Sequence, residues 1–359
     1  MLYTRTILSL LIVAIAQVTV LADSLDIKIG QMLMVGMPGN KVQPNSPIAQ
    51  YIKTGIVGGI LLFEFNLNPN NTKNELQKLT NNLQDLAPIP LLIAIDQEGG
   101  QVNRLKTKYG FPAMPSAKKV ADSNSHAYAY QVAETIANTL AECGINLNFA
   151  PVADLHNPFC PVLGNRNRCF SDDPHTVATY DSIYIEAHRA AGIKTSLKHF
   201  PGHGNSRSDS HLGLTDVSKY WKKNELIPYQ KLIQAGMVNM IMSAHIVNKN
   251  MDKSGLPATL SPHVIQKILR EELGYNGVVI SDDMQMHAIS SHYSLSESLR
   301  MGILAGIDMF IFSNNIFGAS DYSPDKLHAA IRKLVENGSI TEQRINESYT
   351  RIMQLKKSR

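Results

Sequence analysis

The 359-residue chain is 44% hydrophobic and 18% charged, with no charge run or low-complexity tract, which excludes disorder as its ground state. A formal charge of +4 spread over scattered Lys and Arg, with no basic stripe interleaved with aromatics, argues against nucleic acid as a partner. Length leaves one domain or two open, because α/β barrels of about 250 residues or more are common as single domains.

Residues 1–22 hold a single charge, Arg5, then the apolar run Ile7 to Ala16 and the small-residue end Val20-Leu21-Ala22 before Asp23. This layout predicts a signal peptide cleaved after Ala22, since an apolar core so short, broken by Gln17 and Thr19, spans a bilayer poorly. Loss of Arg5 takes the formal charge from +4 to +3 and leaves a periplasmic or secreted chain without an integral membrane segment, expected to be a monomer. No cysteine lies near the cleavage site to carry a lipid anchor. Of the three cysteines, Cys143 reads as a buried thiol, whereas Cys160 and Cys169 flank a short loop as either a disulfide or two free thiols.

Downstream, apolar runs closed by Gly, Asn, Asp or Pro predict eight strands. They are Met32-Val35, Gly58-Phe63, Leu91-Ile95, Leu147-Pro151, Thr195-His199, Met240-Ala244, Gly277-Ser281 and Met309-Phe312. Helical periodicity fills the intervals, including Lys73-Leu86, Ala127-Glu142, Val177-Ala190, Asn224-Ala235, Pro262-Glu272, Leu295-Leu304 and Leu327-Glu336, with a last amphipathic stretch from Thr341 to Leu355. Ser261-Pro262 supplies an N-cap and a first-turn proline, and Gly274 stands where that helix should stop. Alternation of strand and helix implies parallel strands, so residues 23–359 are expected to form a single α/β domain, a (β/α)8 TIM barrel. A doubly wound sheet would carry a glycine-rich phosphate loop after its first strand, and Gly36-Met37-Pro38-Gly39 lacks that fingerprint.

A barrel places its chemistry at the carboxyl ends of its strands. There the sequence has Asp96, Gln97, Glu98 and nearby Arg104 after the third strand, and Lys198, His199 and His203 at the fifth. A Ser/Asn-rich loop then leads to Asp209 and His211, while the sixth strand ends at His245 and the seventh at Ser281-Asp282-Asp283. A single aspartate there is as readily a helix cap, and a lone histidine as readily a satisfied core residue. Five or more such groups on one rim are poorly explained as separate caps.

Carboxylates and hydrogen-bonding side chains without a cofactor motif suit hydrolysis of a sugar acetal, so no cofactor is expected and the partner is a carbohydrate substrate. Zinc held by His199, His203, Asp209 and His211 is the rival, but Pro201 and Gly202 forbid the helix that would place the first two on one face. No metal site is therefore predicted.

With these residues in view, the sequence resembles glycoside hydrolase family 3, specifically its single-domain β-N-acetylglucosaminidases of the NagZ type. The resemblance rests on Lys198-His199-Phe200-Pro201-Gly202-His203-Gly204 followed by Asp209-Ser210-His211. Asp96-Gln97-Glu98-Gly99-Gly100 with Arg104, Pro257-Ala258-Thr259-Leu260-Ser261, and Gly277 to Met284 support it. It implies Asp282 as the nucleophile that forms a covalent glycosyl-enzyme, with Asp283 structural because strand alternation sends the two to opposite faces. It implies His211, oriented by Asp209, as the acid/base in place of a second carboxylate. A neighbouring carboxylate favours the protonated imidazole that must give up the proton.

The resemblance further implies that Asp96, Arg104, Arg168, Lys198 and His199 grip the sugar hydroxyls. Arg166 is the second choice to Arg168, because the segment Gly164 to Phe170 is longer than the compact form of this loop. Gly202, Gly204 and the serines that follow predict a pliable loop that closes over substrate. A β-glucosidase of the same family is the nearest alternative; such enzymes borrow their acid/base from a second domain, for which this chain is expected to be too short. A sugar-binding protein without catalysis is the alternative from another class. Export leaves peptidoglycan fragments, chitin oligosaccharides and host glycans open as substrates, the first two being the expected ones.

Overall fold

The computed structural model describes residues 24–209 and 213–358. The signal peptide expected at residues 1–22 lies outside the described residues.

Eight parallel strands close into a barrel: β1 Leu33–Gly36, β2 Gly59–Leu62, β3 Leu92–Ile95, β4 Leu147–Asn148, β5 Lys194–Phe200, β6 Met240–Ser243, β7 Val278–Asp283 and β8 Met309–Phe312. Neighbours in sequence are neighbours in space, and β8 pairs back onto β1 with Leu33 opposite Phe310 and Val35 opposite Phe312. The strands read as continuous apolar runs because both faces are covered, one by the filled barrel interior and the other by helices. The predicted (β/α)8 architecture is the observed one.

The helices meet their sequence signals closely. Helix His263–Glu272 is entered through Ser261, whose Oγ accepts from Val264 N at 3.1 Å, and is left through Gly274 at φ 72°, a conformation that glycine adopts without steric cost. Helices Leu25–Gln31 and Pro47–Lys53 are additional to those predicted, each too short to display two turns of periodicity. The first of them packs against Glu342–Lys357 across the amino end of the barrel.

β4 is shorter than expected. The ladder with β3 stops at Asn148, whose side chain takes over the pairing: Oδ1 accepts from Gln97 N at 3.0 Å and Nδ2 donates to Gln97 O at 3.1 Å. The chain then rejoins β5 through a bridge between Val152 and Lys198.

The amino end of the barrel is tied by one carboxylate. Fully buried Asp308 accepts from Arg270 Nη2 at 2.7 Å, Arg351 Nη1 at 3.1 Å, Ser348 Oγ at 2.8 Å and Val279 N at 3.0 Å. Arg344 reaches the same carboxylate at 3.4 Å and also donates to Ile303 O and Ile307 O. This cluster joins β7, β8, the preceding helix and the last helix. All three cysteines are buried free thiols, which resolves Cys160 and Cys169 in favour of thiols; both pack in a small cluster with Val152, Val162 and Leu163.

Candidate active site

At the carboxyl end of the barrel lies a cleft of about 660 Å³ whose lining includes Asp96, Arg104, Arg168, Lys198, His199 and Asp282. Every grip residue predicted from the sequence therefore borders one cavity, together with the predicted nucleophile.

Its floor is a buried ionic chain. Lys198, only 2% exposed, donates to Asp96 Oδ1 and contacts Glu98 Oε1, both at 2.7 Å. Arg168 grips Glu98 with two donors, Nε to Oε2 at 2.8 Å and Nη2 to Oε1 at 2.7 Å, while its Nη1 donates to Val162 O at 2.9 Å. Arg104 completes the set, 3.5 Å from Asp96 Oδ2. Burial alone would push these carboxyls upward, but the adjacent cations outweigh it. Asp96 is held below the usual range by Lys198 and Arg104, and Glu98 is lowered to about 2 by Arg168 and Lys198. Burial likewise opposes the charge on Lys198, yet Asp96 and Glu98 hold its pKa above the ordinary lysine value. The floor thus presents fixed donors and acceptors that need no reorganisation when a polyol arrives.

His199 is aimed by a residue that the sequence reading did not single out. Asp154, fully buried after β4, accepts His199 Nδ1–H at 2.7 Å, His199 N–H at 3.1 Å and His203 N–H at 2.6 Å. Burial raises Asp154 and His199 more than offsets that, so it stays below the ordinary carboxyl range. With Nδ1 committed to Asp154, His199 offers Nε2 to the cleft it lines. Burial, with His199 beside it, lowers His203 to about 4, so it is neutral; its Nδ1 pairs with Ser206 Oγ at 2.8 Å. The Lys198–His199 and Phe200–Pro201 peptides are both cis.

Asp282 stands on the cleft wall, half-buried, with Oδ1 accepting from Asp283 N at 2.8 Å. Asp282 and Asp283 both border the cleft, and the register of β7 on β8 shifts between Ile280 and Asp283. They differ in commitment. Asp283 is 8% exposed, and its carboxylate accepts from Ser313 Oγ, from Ser313 N at 3.4 Å and from Gln285 N at 3.0 Å. Burial raises it to about 6. Its carbonyl accepts from His245 Nε2 at 3.0 Å, which gives that histidine a framework task.

Asp209 is half-buried on the loop after β5. His211 lies outside the described residues, and so does its predicted pairing with Asp209. Arg166, the second choice for the sugar-gripping arginine, is exposed and borders the cleft, whereas Arg168 is fixed in its floor.

Glu98, one of the strand-end groups expected after the third strand, is placed in the cleft floor, whereas Asp154 stands outside the groups expected from the sequence. Asp154 lies three residues beyond Pro151, where the strand expected from the sequence ends, and so outside the strand-end set.

A closed barrel with a charged, pre-set cleft at its carboxyl mouth is the (β/α)8 architecture, in which sites lie at that end of the strands. The chain belongs to glycosyl hydrolase family 3: the sequence model of that family's N-terminal domain matches residues 24–355. It is 33% identical over 331 residues to beta-hexosaminidase A of Pseudoalteromonas piscicida, covering 86% of this chain and 54% of that protein, and so spans about half of that relative's length. It is 35% identical over 268 residues to a beta-hexosaminidase of Tolumonas auensis, covering 73% and 77% of the two chains. A family 3 beta-N-acetylglucosaminidase from Paenibacillus sp. str. FPU-7 superposes with a TM-score of 0.84 at 34% identity, over 93% of this chain and 62% of that one. A beta-N-acetylhexosaminidase from Beutenbergia cavernae gives 0.82 at 25% identity, over 93% and 98%.

Proposed function

We propose that this protein is a retaining exo-glycosidase that removes terminal β-linked N-acetylglucosamine, with Asp282 as nucleophile and His211, oriented by Asp209, as acid/base. The observation that carries it is the juxtaposition of Asp282 with the ionic floor of Asp96, Glu98, Lys198 and Arg168 in one cleft. In the first step the Asp282 carboxylate attacks the anomeric carbon, the glycosidic C–O bond breaks, and the departing oxygen takes the proton from His211. In the second, water attacks the same carbon and gives its proton to the neutral imidazole, while the bond to Asp282 breaks and the carboxylate is restored. Asp283 is the weaker nucleophile because Ser313 and Gln285 already occupy its carboxylate.

The beta-hexosaminidase names of the relatives support N-acetylhexosamine as the sugar. The leader-like residues 1–22 support a periplasmic or secreted site of action, where peptidoglycan fragments or chitin oligosaccharides would be the substrates. Asp282→Ala is expected to lower turnover of a chromogenic β-N-acetylglucosaminide by roughly 10⁴-fold or more while N-acetylglucosamine still binds. Unchanged turnover would remove Asp282 from the mechanism, and cleavage of the matching glucoside alone would redirect the assignment to a β-glucosidase.

A further inference from the structure

The long loop after β4, which carries Asp154 and Arg168, is also the segment against which the β5 loop is built. Asn157 Nδ2 donates to Asn205 Oδ1 at 2.7 Å, Cys160 Sγ lies 3.2 Å from Ser206 Oγ, and Gly204 packs so closely that a Cβ there would lie 2.1 Å from Leu155 O. These contacts fix the stem of the β5 loop as far as Ser206.

Beyond Ser206 the attachments change character. Ser208 Oγ donates to Thr215 Oγ1 at 3.0 Å, and the Arg207 guanidinium sits between two rings, 4.7 Å from the centre of Phe159 and 4.9 Å from that of Tyr220. Phe159 belongs to the β4 loop and is 71% exposed, a position at which a large apolar ring gains little from burial and much from a cation on its face. A planar, weakly hydrated guanidinium can stack on both rings at once, which a compact, strongly hydrated ammonium does less well.

We infer that the Phe159–Arg207–Tyr220 sandwich is a latch through which the β4 loop positions the segment Arg207–Asp209, and thereby sets how well the leaving group is protonated. Arg207 is a positioning residue that acts through Asp209. The inference rests on the acid/base assignment of Asp209 and His211 made above. It gives the enlarged β4 loop a mechanistic purpose: the loop that carries Arg168 to the cleft floor also holds Arg207, two residues before Asp209.

The test compares leaving groups. For Arg207→Ala, kcat/KM on an unactivated disaccharide, N,N′-diacetylchitobiose, is expected to fall about ten-fold, as loss of two exposed cation–π contacts would give. On a 2,4-dinitrophenyl N-acetylglucosaminide, whose leaving group needs little proton assistance, kcat/KM should fall far less, and the lowered kcat should recover with sodium azide, a nucleophile that needs no base. Phe159→Ala should reproduce this pattern, and Arg207→Lys, which keeps the charge but loses the plane, should be intermediate. Equal losses on both substrates, or no loss on either, would overturn the latch. Asp282→Ala on the activated substrate separates the two ideas, since retained turnover there defeats the nucleophile assignment whatever Arg207→Ala does.

Discussion

Glu98 shows how much of this cleft depends on a residue that need not touch substrate. It neutralises Lys198 on one side and Arg168 on the other, so both cations are spaced before any sugar enters. Removing its charge leaves two buried cations facing each other with one fewer partner. Glu98→Gln is therefore expected to lower kcat/KM by about 100-fold, the scale of breaking one buried charge-assisted pair, with a fall in melting temperature of the free protein. Kinetics and thermal unfolding of the same variant check both. At this scale the sequence was a partial guide. Lys198, Asp96 and Arg104 were legible at strand ends, and Arg168 only through the family resemblance, which left Arg166 as the second choice. The parts played by Asp154 and Glu98 were not, because pairing partners from different strands have no mark in linear order. The β7 register shift between Ile280 and Asp283 is likewise invisible in an alternating pattern.

Among elements, the β5 loop and the turn Lys223–Leu226 beneath it form one unit. Glu225 is 1% exposed, accepts from Asn205 Nδ2 at 2.8 Å through Oε1, and its Oε2 has no hydrogen-bond partner among the described residues. Burial raises its pKa to about 7. Because the folded value lies above the unfolded one of about 4.3, the stabilisation from the protonated form is complete below that value and is lost as pH rises through 7. Glu225→Gln keeps the shape without the ionisation. The variant should match the parent at pH 4 and gain on it between pH 5 and 8, by on the order of 2–3 kcal/mol, seen as several degrees in melting temperature. A stability difference that stays flat with pH would show that Glu225 does not titrate on folding. The helices and strands themselves were legible wherever two or more turns, or a full apolar run, displayed a period. Helix Pro47–Lys53, of 7 residues, falls below that length, while β4 was legible at its start and only its end, at Asn148 rather than Pro151, is decided by contacts with neighbouring elements.

For the molecule as a whole, alternation of eight apolar runs with helices was sufficient for the barrel, because a parallel strand order with short returns has few closed solutions. What patterning did not reveal is the ionic cluster on Asp308, to which three arginines come from two helices. One carboxylate opposes three guanidinium groups, so losing it is worse than losing any one of them. Asp308→Asn should destabilise the protein by about 3–5 kcal/mol in urea unfolding while the surviving folded fraction keeps its KM, since the site is at the other end of the strands. A changed KM with unchanged unfolding would contradict this division of labour.

That division has a use in engineering. The ends that bear load and the ends that meet substrate are a barrel length apart, so the loops of the mouth behave as cassettes on a chassis. Replacing the segment Leu155–Phe170 together with the β5 loop it supports would exchange leaving-group preference as one module, whereas grafting either loop alone would separate Phe159 from Arg207 and transplant a lock without its key.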